Sequence, residues 1–179
     1  MVFEVSDYIQ MKADMGSKLK VLFVVADVYF SEPLGVMILS AICKKAGYTT
    51  RLGIVARENL IEILDDFRPD VIAYSTMTSD ENSFAHANDI IQAWSKNTGH
   101  PVKRIMGGPH PTYFPDVIHK LNLDAICAGD GERAILSMLE AIQAGRSMEG
   151  IPNVSIPNIP MSSKEVIEDM NIIPWADRD

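Results

Sequence analysis

Glycine residues and short hydroxyl side chains are concentrated in four segments, each of which follows an apolar run of the sequence. The segments are 27–35 (DVYFSEPLG), 75–79 (STMTS), 107–112 (GGPHPT) and 129–132 (GDGE). Glycine lets a backbone approach a ligand closely, and serine and threonine supply hydrogen-bonding groups with little bulk. These residue types favour one large ligand contacted by several loops over a small substrate held by a single catalytic cluster.

Three of the four segments also have a structural interpretation that needs no ligand. The Gly-Gly-Pro sequence at 107–109 is typical of a turn, and the hydroxyl residues at 75–79 are typical of a helix N-cap. The segment 129–132 is typical of a turn followed by an acidic residue at a helix start. These alternatives stay open for each segment taken alone.

Familiar catalytic and nucleotide-binding patterns are absent from the sequence. It contains no G-x-G-x-x-G, no G-x-x-x-x-G-K-[ST] and no G-x-S-x-G, which disfavours ordinary dinucleotide binding, a P-loop and a nucleophile elbow. Cys43 and Cys127 lie far apart in apolar runs, so no cysteine-rich zinc or iron–sulfur site is available within this sequence. Of the four histidines, only His110 lies in one of the four segments.

An alternation of short apolar runs with amphipathic segments predicts the elements that position these loops. The predicted strands are 20–26, 48–55, 71–75, 102–106 and 124–128, and the predicted helices are 33–46, 58–67, 80–96, 115–121 and 132–144. This order predicts an α/β fold: a doubly wound, Rossmann-like or flavodoxin-like parallel sheet of five strands with helices on both faces. Ligands bind such sheets beyond the carboxyl ends of the strands, where all four segments fall.

Length, composition and charge narrow the class of protein. The 179 residues are 47% hydrophobic and 22% charged, which is ordinary for one globular domain. Sixteen Lys and Arg against 24 Asp and Glu give a net charge of −8, which disfavours nucleic acid as a partner. No apolar run reaches 18 residues, so no membrane span is expected. The acidic N-terminus lacks the pattern of a secretory signal, which predicts a cytoplasmic location.

Three regions are predicted along the chain. Residues 1–18 form a lead-in, residues 19–150 the ligand-binding domain, and residues 151–179 a short strand or hairpin followed by an extended connector. The last region contains four prolines and no long helical pattern. We expect the protein to continue beyond it.

Four motifs resemble the N-terminal cobalamin-binding domains of radical S-adenosylmethionine (SAM) enzymes, a family that includes methyltransferases and the anaerobic magnesium-protoporphyrin monomethyl ester oxidative cyclases. The motifs are 33–52 (PLGVMILSAICKKAGYTTRL), 106–112 (MGGPHPT), 124–136 (DAICAGDGERAIL) and 167–179 (IEDMNIIPWADRD). Asp130 stands where glutamate is commoner in the third motif. Together they cover about residues 19–179 in the expected order.

The resemblance implies that cobalamin lies over the strand ends, with its nucleotide tail inserted along the sheet. Ser75 would contact the benzimidazole, Gly107 and Gly108 would let the tail pass, and Gly129 and Gly131 would lie near its far end. His110 would hydrogen-bond a corrin side chain or the tail. The other implied cofactor contacts are Leu34, Gly35, Thr76, Met77 and Thr78 at the corrin, with Tyr29, Pro109 and Glu132.

Two departures from related proteins qualify this expectation. Cobalamin-dependent mutases carry D-x-H-x-x-G after the first strand, whereas Asp27 here is followed by Val28 and Tyr29 and no histidine occurs before His86. The resemblance therefore implies base-off, His-off cobalamin, with Tyr29 as one candidate oxygen ligand to cobalt. The second departure is the absence of the C-x-x-x-C-x-x-C motif for a 4Fe–4S cluster.

This chain is therefore expected to be the cofactor-holding module, with SAM chemistry in a radical SAM barrel of the same polypeptide. The full protein would be a methyltransferase acting at carbon or phosphorus, or an oxidative cyclase. The alternative is a flavodoxin-like or receiver-like binding or signalling domain, and a stand-alone enzyme with an unrecognised site is a third hypothesis.

Overall fold

The structure, a computed structural model, describes residues 18–28, 32–169, 171 and 173–179. Its strands are β1 (Lys20–Val25), β2 (Thr49–Ile54), β3 (Val71–Ser75), β4 (Lys103–Gly107), β5 (Ala125–Cys127) and β6 (Val154–Ser155). Its helices are α1 (Leu34–Lys45), α2 (Leu60–Phe67), α3 (Glu81–Thr98), α4 (Pro109–Tyr113), α5 (Val117–Lys120) and α6 (Glu132–Gln143), with a 3-10 turn at Thr78–Asp80 before α3. Nearly all of the predicted lead-in at 1–18 lies outside the described residues.

The strands form one sheet in the order β2-β1-β3-β4-β5-β6. Strands β1 to β5 are parallel, and β6 pairs antiparallel with β5. The order 2-1-3-4-5 is that of flavodoxin-like folds, whose ligands bind where the winding direction reverses, between β1 and β3. The prediction of a doubly wound parallel sheet is confirmed.

The predicted number of strands was too small by one. The sixth strand comes from the region 151–179, where a short strand or hairpin was predicted, and a bridge between Ile156 and Ile159 follows it. Strand β6 has only two residues. A run that short carries no periodicity from which its pairing could be read.

Two apolar layers cover the two faces of the sheet. Alternate β1 residues point to opposite faces, so that Val21 and Phe23 belong to one layer while Leu22 and Val24 belong to the other. The first layer contains the buried faces of α1 and α6, and the second those of α2, α3 and α5. Because Val21–Val25 of β1 are buried on both faces of the sheet, this run is continuously apolar rather than alternating.

One helix was not predicted. The segment after β4 was expected to be a loop, with a turn as the alternative, but Gly108 is followed by the five-residue helix α4 with Pro109 at its first position. Proline is favoured there because its fixed φ suits a helix and its missing N–H would have no partner in the first turn. The adjoining helix predicted at 115–121 is confined to Val117–Lys120.

The described residues after β6 pack back onto the domain and form neither an α-helix nor a further strand. The buried Asn153 side chain donates to the carbonyl oxygens of Asp130 and Glu165 and accepts from the Glu165 N–H, all within 2.9 Å. Further on, the Asp177 carboxylate contacts Ser40 at 2.5 Å and Lys44 at 2.9 Å, and both partners belong to α1. Residues 161–179 are thus held at both ends by specific polar contacts.

Candidate functional site

A cavity of about 230 Å³ opens between the carboxyl edge of the sheet and helices α1 and α6. Its walls are mainly apolar, and its polar groups are concentrated around the loops that follow β3, β4 and β5. The apolar walls are formed by Phe23, Val36, Leu39, Ile105, Ile135 and Met138, and the loops contribute Ser75, Gly107, Gly108, Gly129, Asp130, Gly131 and Glu132.

Strand register brings the predicted loops together. Ser75, the last residue of β3, pairs with Gly107, the last residue of β4, so both loops leave the sheet at the same level. Strand β5 lies beside β4, which adds the segment beginning at Gly129. Seven of the fourteen predicted contact residues line the cavity: Gly35, Ser75, Gly107, Gly108, Gly129, Gly131 and Glu132.

The two consecutive glycines have different surroundings. A Cβ added to Gly107 would meet no other atom within 4 Å, so a side chain there would extend into open space in the cavity. A Cβ added to Gly108 would lie 2.8 Å from the carbonyl oxygen of Thr76, and the φ of Gly108 is +100°. The fold itself requires glycine at 108, whereas the glycine at 107 keeps the cavity open.

Six of the seven remaining predicted residues are described by the structure, and none of these six lines the cavity. Thr76 is buried, and both its hydroxyl and its N–H donate to the carbonyl of Gly107. The side chains of Leu34 and Met77 are about half exposed at the same edge of the sheet. Thr78 and Pro109 are also exposed, and Tyr29 lies outside the described residues.

His110 is buried next to the cavity rather than in it. Its N–H donates to the Thr76 carbonyl at 3.1 Å, its Nδ1 lies 3.4 Å from the Thr78 hydroxyl, and its ring stacks on Phe114 at 5.3 Å. Its Nε2 is shielded from solvent and has no partner among the residues that the structure describes. These contacts fix the orientation of the ring against the loop after β3.

Glu132 is the second residue with an unpaired buried atom. It is the first residue of α6, and its Oε2 is shielded from solvent with no hydrogen-bond partner in the described part of the chain. The other acid of the cavity, Asp130, already accepts a hydrogen bond from the N–H of Ile167 at 2.8 Å. Glu132 therefore has a buried acceptor atom for which the described residues supply no donor.

Cys127, which lines the cavity, is not a reactive thiol. Burial, together with the nearby negative charges of Glu132 and Asp130, raises the pKa of the Cys127 thiol to about 12. A thiol is nucleophilic only as its thiolate, so Cys127 serves as part of the wall. This agrees with the position of Cys127 in an apolar run of the sequence.

The apolar walls were missed in the sequence-based prediction of the site. Phe23, Ile105 and Ile135 appear in the sequence as ordinary core residues, and in the structure they belong to the layer that α1 and α6 share. Alternation along a strand separates its two faces but does not show which face contains a cavity. The packing of α1 and α6 determines which face of the sheet contains the cavity.

None of the helices in the described part of the chain combines the length and the apolar character that a membrane crossing requires.

The comparisons with known proteins identify the family. The family model described as B12 binding domain matches residues 19–139, which is more than half of the chain. Among curated proteins, an uncharacterized methyltransferase of Pyrococcus horikoshii is 28% identical over 99 residues, covering 54% of this chain and 21% of the relative. The anaerobic magnesium-protoporphyrin IX monomethyl ester cyclase of Cereibacter sphaeroides is 28% identical over 125 residues, which cover 65% of this chain and 20% of the cyclase.

Solved structures show the same fold. The cobalamin-dependent SAM radical enzyme OxsB, with aqua-cobalamin and SAM bound, superposes with a TM-score of 0.77 at 15% identity over 89% of this chain and 24% of OxsB. The chain thus spans about a fifth to a quarter of the length of these relatives.

Proposed function

The chain belongs to the B12-binding domain family, and from this premise we propose that it holds cobalamin base-off, with the nucleotide tail inserted into the cavity between the sheet, α1 and α6. The observation that carries this proposal is the cavity itself. It is mainly apolar, it opens beyond the carboxyl ends of β3, β4 and β5, and it is bordered by an unpaired carboxylate oxygen and by a glycine whose missing Cβ leaves space.

The size of the cavity supports a divided binding site. Pockets that enclose a whole drug-sized ligand usually measure about 300–1,000 Å³, and this cavity of about 230 Å³ suits an aromatic base with part of its sugar. The corrin ring would then lie outside, over the strand ends. The half-exposed side chains of Leu34 and Met77 at that edge supply apolar surface for it.

Individual roles follow from position. Ser75 offers a hydroxyl donor to the ring nitrogen of a base in the cavity, and Gly107 leaves room for the tail. Gly35, Gly129 and Gly131 border the opening, where their lack of side chains allows close approach. The segment 27–35 contains no histidine, so this loop offers cobalt no imidazole, and Tyr29 stays a candidate contact from sequence alone.

The activity of the whole protein is a further part of the proposal. The similarity to methyltransferases and to a cyclase supports a full-length cobalamin-dependent radical SAM enzyme, with a barrel and a 4Fe–4S cluster in the same polypeptide. Bound cobalamin would supply methyl-transfer or related cobalt chemistry, and this chain would bind and orient it. The proposed location is the cytoplasm, which the two buried free thiols of Cys43 and Cys127 suit.

The flavodoxin-like or receiver-like alternative gains no support. A receiver needs several acids at the end of the first strand and a phosphorylatable aspartate after the third. Asp27 is paired with the Arg57 side chain at 2.7 Å, and β3 ends at Ser75 followed by Thr76.

An absorbance spectrum tests the proposal. The protein is mixed with excess hydroxocobalamin, desalted, and its visible spectrum recorded before and after reduction. We expect retained cobalamin with a base-off spectrum. A retained base-on spectrum would contradict the proposed position of the tail, and no retention by the folded protein at high cobalamin concentration would contradict cobalamin binding by this chain.

A matched pair of variants tests whether the retained cobalamin is bound in the cavity. Ser75→Ala removes a hydroxyl from the cavity, and Ser79→Ala makes the same change in an exposed residue of the same loop. We expect weaker retention only for Ser75→Ala. Equal retention by both variants would show that Ser75 makes no contact with the cofactor.

A further inference from the structure

The buried oxygen of Glu132 has no hydrogen-bond donor among the residues that the structure describes. A buried acceptor without a donor is destabilising, and more so when it is charged, so such atoms are rare in folded proteins. Glu132 Oε2 is shielded from solvent and unpaired among the described residues, and its side chain lines the cavity. A ligand that occupies the cavity should therefore present a hydrogen-bond donor to it.

The chemistry of the nucleotide tail limits which group that donor can be. The dimethylbenzimidazole base has no N–H when it is attached to the sugar and unprotonated, so it only accepts. The phosphodiester is an anion and also only accepts. The donors near the base are the two free ribose hydroxyls, and the amide N–H groups lie on the linker and the corrin.

Position favours the ribose over the amides. The apolar wall formed by Phe23, Ile105 and Met138 suits the base. Glu132 begins α6 directly after Gly131, at the polar border of the cavity. A sugar attached to a base in the cavity would lie at this border, whereas the corrin amides remain outside with the ring.

We propose that the Glu132 carboxylate accepts a hydrogen bond from a ribose hydroxyl of the nucleotide tail, and that this contact makes the site selective for corrinoids that carry a nucleotide. This inference rests on the proposed function and deepens it. The contact also sets the depth of insertion, since a carboxylate at the border repels the phosphate and favours the neutral sugar.

The experiment compares two corrinoids and three proteins. Hydroxocobalamin carries the nucleotide tail, and diaquocobinamide has the same corrin without base, ribose or phosphate. Dissociation constants are measured by titration for the wild type, for Glu132→Gln and for Glu149→Gln. The last variant makes the same chemical change at an exposed residue and controls for the loss of one negative charge.

A clear pattern is expected. Hydrogen bonds to charged groups contribute about 1.5–3 kcal/mol, so Glu132→Gln should bind hydroxocobalamin about tenfold to a hundredfold more weakly than the wild type. Its affinity for cobinamide should be unchanged, and Glu149→Gln should match the wild type with both ligands. Thermal unfolding without ligand checks that Glu132→Gln is folded.

Other outcomes overturn the inference in distinguishable ways. If the wild type binds hydroxocobalamin and Glu132→Gln binds it equally well, the ribose contact is wrong while the proposed function stands. If Glu132→Gln weakens both corrinoids equally, the contact is to the corrin and not to the nucleotide. If the wild type binds neither corrinoid, the proposed function itself fails and the inference with it.

A second pair of ligands separates the sugar from the base. Pseudocobalamin keeps the ribose and replaces the benzimidazole by adenine. The ribose contact predicts that Glu132→Gln loses the same factor with pseudocobalamin as with hydroxocobalamin. A loss confined to one of the two would assign the contact to the base and contradict the inference.

Discussion

Replacing Gly107 with valine should block the cavity without harming the fold. Gly107 ends β4, and a Cβ added there meets no atom within 4 Å. At about 30 Å³ per heavy atom, the volume share of one water, the three added carbons fill about 90 Å³ of a cavity of about 230 Å³. The remaining space is too small for a two-ring base.

The loss of affinity can be estimated from the area that the base would otherwise bury. An aromatic group of that kind buries about 150–250 Å², which at about 25 cal/mol/Å² corresponds to about 4–6 kcal/mol. Even partial loss should weaken cobalamin binding at least a hundredfold. Titration with hydroxocobalamin measures this effect.

Gly107→Val should weaken cobalamin binding without lowering the free energy of unfolding. Replacing a strand glycine restricts the unfolded chain and stabilises the fold by about 0.4–1 kcal/mol where the backbone is compatible. Urea unfolding should therefore show Gly107→Val to be as stable as the wild type or slightly more so. Wild-type affinity in this folded variant would refute insertion of the tail into the cavity.

The neighbouring glycine provides the contrast. Gly108→Ala places a Cβ 2.8 Å from the Thr76 carbonyl oxygen at a φ of +100°, a backbone conformation that L residues rarely adopt. This variant should be destabilised by about 1–3 kcal/mol although it adds only one carbon. A stable Gly108→Ala protein would contradict the distinction drawn between the two glycines.

Two further predictions concern the segment 161–179. Burial tends to raise the pKa of Asp177, but hydrogen bonds from Lys44 and Ser40 outweigh it and lower the pKa below its usual value. The contribution of the Asp177 carboxylate to stability is therefore present above its unfolded pKa and lost as the pH falls through the lowered value. Asp177→Asn should reduce the free energy of unfolding in urea by about 1–2 kcal/mol at pH 7 and by progressively less below pH 4. An equal reduction at both pH values would contradict this. Asn153→Ala removes three hydrogen bonds to Asp130 and Glu165 and should expose 161–169 to limited proteolysis, and an unchanged cleavage pattern would show that these bonds do not hold the segment.

The fold could be predicted because its signals are local and repeated. Within β1, the run Val21–Val25 is apolar on every residue because both faces of the strand are buried there. The glycines that follow helices α1 and α3 have positive φ, as helix ends favour. Right-handed connections between such strand–helix units predict a parallel sheet, but the choice between the Rossmann-like and the flavodoxin-like strand order was left open. A short strand or hairpin was predicted after residue 150, but its pairing with β5 was not, because two residues carry no periodicity.

The site could be predicted only in part, because loop composition does not show the direction of a side chain. Thr76 and Ser75 are adjacent hydroxyl residues, yet Ser75 lines the cavity and Thr76 is bonded to Gly107. Gly107 and Gly108 are likewise indistinguishable in sequence and differ in the structure by what faces the missing Cβ. Ser75 and Gly107 end neighbouring strands and pair with each other, whereas Thr76 and Gly108 lie just beyond the strand ends, where backbone contacts between the two loops determine their surroundings.

Helix α1 connects the cavity with the last residues of the chain. Phe23 and Val36 line the cavity, and both also line the smaller pocket of about 80 Å³ that contains Asp177. The Asp177 N–H donates to the Met37 carbonyl of the same helix at 3.0 Å. Because closely packed interiors transmit displacement, the contacts of residues 177–179 help to fix the position of α1, and therefore the width of the opening through which the nucleotide tail is proposed to enter.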